Sequence, residues 1–182
     1  MELSVYRPEH WTRVSRISGS VCLTLYFFFL LYAWRNESGF LFLDYANLMI
    51  HEAGHMFFGW CGYTIMILGG TLGELIVPMI CAAFFIFHRQ TYGVAFSFFW
   101  FFENFLYIGT YMADARTAAL PLVNSDESDW TILFGQWNVL ASDLKIGQFT
   151  RQIGWLGMLL VVAWLGHRLY RDWDVQQESG QD

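Results

Sequence analysis

Charge is what this sequence has least of. Asp, Glu, Lys and Arg make up 14% of its 182 residues, while 55% are hydrophobic and 20% aromatic; an ordinary soluble domain carries about 25% charge. The apolar residues fall in blocks rather than stripes, which excludes a conventional soluble domain and points to an all-α integral membrane protein. Basic charge is scarcer still. A net charge of −6 lacks the positive footprint that a phosphate backbone demands, so nucleic acid is excluded as a partner. Cysteine is limited to Cys22, Cys61 and Cys81, each in an apolar stretch with no C-x-x-C pair, which excludes a disulfide framework or a cysteine metal cluster. No internal repeat is found, and no low-complexity segment beyond the aromatic run Phe96 to Phe102, read as lipid-facing bulk.

The length suits a single membrane domain over 1–173 with about five spans, followed by a polar, disordered tail over 174–182. The first span is expected over 17–34, uncharged throughout and long enough at 1.5 Å per residue to cross a hydrocarbon core. Arg7, Arg13 and Arg16 ahead of it give a signal-peptide look, but no small-residue cleavage site follows, so an uncleaved span is expected. The others are expected over 40–60, 71–87, 91–113 and 152–168. A kink is expected at Pro78, and Arg151 and Arg168 bracket the short last span. Between the fourth and last spans lie an acidic stretch from Asn124 to Asp129, then a short amphipathic helix near 130–141 at the membrane interface, with Ile132, Leu133, Trp137 and Leu140 on its apolar side. Lys and Arg are distributed with a small excess on the N-terminal side, which favours an N-inside orientation.

Residues 62–70 carry glycines on both sides of a β-favouring stretch, Tyr63 to Leu68. Two readings stand side by side: a short strand or re-entrant segment against which an unwound substrate could pair, or a helix whose Gly69 and Gly73 form a small-xxx-small contact.

The second block holds His51-Glu52-Ala53-Gly54-His55. On a helix the two imidazoles lie one turn apart on one face and can share one zinc ion, while Glu52 reaches the bound water as general base. Ionisable groups at membrane depth need partners, so a metal explains them better than a merely structural polar cluster. Small Ala53 and Gly54 admit either a neighbouring helix or a substrate backbone. A catalytic zinc keeps three protein ligands, and the third is open among Asp44, Glu74, Glu103, Asp114 and Asp129. Asp44, about two turns before His51, is too far for direct contact. His10, His88 and His167 sit at span ends, which argues against a multi-histidine di-iron oxidase.

The set Leu43-Asp44, His51 to His55, Leu68-Gly69-Gly70-Thr71, Asn104, Tyr111 to Arg116 and Asp129-Trp130 resembles the site-two protease class of intramembrane zinc metalloproteases. More narrowly, it resembles the small bacterial membrane proteins grouped with those peptidases. The resemblance spans roughly 40–130 and is specific at the zinc motif. It implies a multi-pass protein of the bacterial cytoplasmic membrane with Zn2+ as cofactor and His51, His55 and Asp114 as ligands. It also implies Glu52 as the catalytic base, Asn104 holding substrate backbone, and a membrane protein or peptide as substrate. Asp129 is a second candidate ligand. The family's Leu-Asp-Gly is replaced here by Ala113-Asp114-Ala115, and there is no PDZ-like module. The expected activity is intramembrane endopeptidase. Alternatives are a zinc-dependent hydrolase of lipid amides or esters and a non-catalytic metal-binding membrane protein.

Overall fold

The computed structural model describes residues 8–121 and 127–178, with side chains as far as Trp173. Arg7, the acidic stretch from Asn124 to Asp126 and the end of the tail, 179–182, lie outside the described residues. The described chain is all α-helix apart from one 3-10 turn: α1 (Arg16–Arg35), α2 (Asp44–Phe58), α3 (Tyr63–Phe87), α4 (Thr91–Ala113), α5 (Asp129–Gln136), the turn Leu140–Ser142, and α6 (Asp143–Glu178).

Helices α1 and α3 and the segment Leu140–Trp173 are each long and apolar enough to cross a membrane. Their outward side chains, among them Leu25, Phe28, Ile80, Phe84, Leu159 and Leu160, form the broad apolar exterior that water-soluble monomers avoid and lipid tails cover. Three of the five expected spans thus stand on length and composition. Helix α2, with 15 residues, is about 22 Å long. Helix α4 has the length, 23 residues, but Glu103, Asn104 and its tyrosines lower its hydropathy. Several boundaries differ from expectation: α2 is shorter than the expected 40–60, and α3 begins at Tyr63, eight residues before the expected span. The last helix starts at Asp143, nine residues before the expected span, and continues to Glu178, so the polar tail begins as helix instead of disordered chain.

The helices pack in series: α2 on α3, α3 on α4, α4 on α6, and α6 on α1, with α5 set against α3 and α4. The α1–α2 loop folds back over α4, where Gly39, at φ 72°, lies against Thr110 and Phe40 meets the Tyr107 ring. One apolar core, including Phe99, Leu106, Met158 and Leu165, joins α4, α6 and α1. A second, around Ile108, Trp130, Leu133 and Phe134, joins α3, α4 and α5.

No strand occurs among the described residues, and Tyr63 to Leu68 is the first part of α3. The glycines beside it are explained by helix packing: a methyl on Gly54 would overlap the Gly69 carbonyl, and one on Gly73 would lie 2.9 Å from the Ile50 carbonyl oxygen. Backbone meets backbone where α2 crosses α3, the small-residue contact that brings two helices closest. Of the two readings of 62–70, the helical one holds, and strand pairing of a substrate there is overturned.

Candidate metal centre

Residues His51 and His55, four apart on α2, project together toward α3. Their rings meet edge to face with centroids 4.7 Å apart. Three positions of α3 at four-residue spacing receive them. The Met66 carbonyl oxygen lies 2.8 Å from His55 Nδ1. Gly70 leaves room for the His51 ring, which any side chain at that position would strike. Glu74 places Oε2 3.5 Å from His51 Nδ1. With Nδ1 of His55 donating to a carbonyl and Nδ1 of His51 facing a carboxylate, each ring presents Nε2 on its other side. This is how partners behind an imidazole select the tautomer that binds metal.

Both Nε2 atoms converge on Asp129. Its Oδ2 lies 2.9 Å from Nε2 of His51 and 3.3 Å from Nε2 of His55. Asp129 opens α5, a helix held by Trp130, Leu133 and Phe134, which are buried against α3 and α4. The expected amphipathic helix therefore exists, but its apolar stripe is covered by protein, with Trp130 and Phe134 in place of Ile132 and Trp137. Packing of these side chains against α3 and α4 holds the helix in place. Two polar contacts add to it: the Tyr111 hydroxyl accepts from the Asp129 amide at 3.2 Å, and Thr131 donates to the Ala115 carbonyl at 2.5 Å.

One ligand atom each from His51, His55 and Asp129 lies within 4.8 Å of the others, and among the described residues no other such group of His, Cys, Asp and Glu occurs. The donors fit zinc. A tetrahedral ion with nitrogen and oxygen ligands at about 2.0–2.1 Å keeps neighbouring ligand atoms about 3.3 Å apart, close to the two spacings found. His51 and Asp129 are buried, and His55 is half-buried, which leaves one side of the cluster open for a fourth ligand.

The other expected site residues lie elsewhere. Asp114 ends α4 and does not join the imidazoles: its carboxylate accepts from the Thr117 hydroxyl and from the Ala119 and Leu120 amides. Partial burial raises its pKa, but those three donors outweigh it and hold the carboxyl below the ordinary range. It is a turn-forming carboxylate, and its neighbour Arg116 pairs with Asp143 instead. Asn104 is 1% exposed, with Nδ2 donating to the carbonyls of Glu74 at 2.9 Å and Trp100 at 3.1 Å. Asp44 accepts from the Leu41 amide at 2.6 Å, and Asn47 bridges it to the fully buried Glu103. Glu52 is half-buried on the turn that carries both histidines.

Asp129 was visible as one of five acidic candidates, but nothing local in the sequence singles it out, because a loop and a helix dock separate it from His51. The role of Glu74 carried a weaker signal: a glutamate inside an apolar helix, eight residues after Met66 on the same face. Comparisons with protein-family models, curated proteins and solved structures find no match to this chain.

Proposed function

We propose that the chain is an intramembrane zinc-dependent endopeptidase whose metal is held by His51, His55 and Asp129. The observation that carries this reading is the paired orientation of the imidazoles, Nδ1 fixed from behind and Nε2 turned to one carboxylate, beside a glutamate at the second position of H-E-x-x-H. Zinc held by three protein ligands supplies Lewis acidity, polarising a carbonyl and bringing the pKa of water in its open position toward 7.

The chain's own residues divide the remaining work. Glu52 takes the proton from the attacking water and returns it to the leaving amide nitrogen. Glu74 and the Met66 carbonyl hold the two imidazoles. The Tyr111 hydroxyl fixes the start of α5 so that Asp129 reaches them. Substrate approaches along the outer face of α2, where Tyr45, Met49, Ala53 and Met56 are exposed beside Glu52. That face is apolar, so a membrane-embedded peptide suits it. Helices α2 and α4 lie within the bilayer together with the three candidate spans, since α4 is packed between α3 and α6 and α2 lies along α3. Five spans in all would make this a multi-pass protein of the cytoplasmic membrane, as the resemblance implies.

In proteoliposomes, cleavage of a membrane-spanning reporter peptide is expected, stopped by 1,10-phenanthroline and restored by added zinc. Release of fatty acid from a lipid amide, with every reporter peptide left intact, would assign the same site to a lipid hydrolase.

A further inference from the structure

Pro78 lies inside α3, four residues after Glu74. Proline has no amide hydrogen, so the Glu74 carbonyl loses the donor that a continuous helix would give it, in surroundings where an unpaired carbonyl is unfavourable. Asn104 of α4 supplies the replacement, donating from Nδ2 at 2.9 Å. Its second Nδ2 contact, 3.1 Å to the Trp100 carbonyl, ties it to its own helix. The Trp100 indole in turn donates to Asn47 Oδ1 at 2.8 Å, and Asn47 sits one turn before His51 on α2. A closed circuit of side chains and helix turns therefore runs from α2 through α4 to α3 and back to His51, where the Glu74 carboxylate faces Nδ1. One residue, Glu74, carries both the carbonyl that Asn104 holds and the carboxylate that meets the imidazole.

We propose that Asn104 is a positioning residue of the metal centre: it acts through the Glu74 peptide that Pro78 leaves unpaired, and so sets the His51 imidazole and the affinity of the site for metal. This rests on the reading of His51, His55 and Asp129 as metal ligands. A residue that only held α3 against α4 would affect stability whether or not position 78 is proline. A residue acting through the Glu74 carbonyl becomes dispensable once residue 78 regains an amide hydrogen, because that N–H bonds the carbonyl itself.

The test is a double-mutant cycle on detergent-purified full-length chain. Zinc affinity is measured by competition with a chelating indicator, and the visible spectrum of bound Co2+ reports ligand geometry. Asn104→Ala is expected to weaken zinc binding about tenfold and to alter the Co2+ spectrum. Pro78→Ala alone is expected to leave both unchanged. The double variant is expected to bind within about threefold of Pro78→Ala. Unchanged affinity in Asn104→Ala, or an equal loss in both backgrounds, would overturn the proposal. If Asn104→Ala does not fold, the double variant decides alone, since zinc binding more than tenfold weaker than wild type contradicts the relay. Wild type that binds no zinc removes the metal reading and the relay with it, whereas binding insensitive to the cycle removes the relay only.

Discussion

Asp129→Ala is expected to lower zinc affinity at least about a hundredfold, whereas Asp114→Ala leaves it unchanged. The size follows from position. Removing a partner behind a ligand typically costs about 10–100-fold in affinity, so removing a ligand outright costs more. Among the described residues Asp129 is also the only carboxylate within 3.3 Å of both Nε2 atoms, and its loss leaves the two imidazoles without the carboxylate on which they converge. Asp114 is committed to Thr117, Ala119 and Leu120, so its replacement loosens the turn after α4 and leaves α2 and α5 in place. Zinc titration of the two variants, with helicity checked by circular dichroism, separates the outcomes. Zinc retained in Asp129→Ala and lost in Asp114→Ala would reverse the assignment.

Glu52→Gln is expected to lower cleavage of the reporter peptide by about 10²–10⁴-fold, the usual contribution of a positioned general base, with zinc content unchanged. Glutamine keeps the shape of the side chain and removes its capacity to take a proton. The metal should stay because Glu52 supplies none of the converging ligand atoms. Glu52 follows His51 directly on α2 and makes no hydrogen bond or ion pair among the described residues, so the carboxylate is free to serve the open side of the cluster. Single-turnover cleavage beside metal analysis of the same preparation distinguishes a lost base from a lost metal. Wild-type activity in Glu52→Gln would remove it from the mechanism.

The helical half of the site is legible in the sequence because it is local. A four-residue spacing on an apolar helix puts His51 and His55 on one face whatever the rest of the chain does. Small residues at 54, 69, 70 and 73 likewise signal a close helix contact, and the contact formed. The Tyr63 to Leu68 stretch shows where local preference misleads: its β-favouring side chains are absorbed into a helix because packing of α3 against α2 and α4 overrides intrinsic propensity. The third member of the candidate ligand group is not legible for a different reason. Asp114 and Asp129 are both acidic residues following α4, and only the docking of α5 through Trp130, Leu133 and Phe134 decides which one meets the imidazoles. Asn104 carried a true signal with a different meaning, since a buried asparagine inside an apolar helix does need polar partners. Its partners are the Glu74 and Trp100 carbonyls, and recognising the first requires pairing it with Pro78 on another helix. The span expected over 91–113 forms as α4 with those bounds, and its aromatic and polar residues only keep its hydropathy below that of the two membrane-length neighbours between which it packs.

The most direct test of the metal centre is zinc content by mass spectrometry on detergent-purified protein at neutral pH without chelator, with wild type measured beside His51→Ala. About one zinc per chain in wild type, lost in the variant, is the result expected of a three-ligand site. Wild type without zinc, or zinc retained equally by His51→Ala, would contradict it.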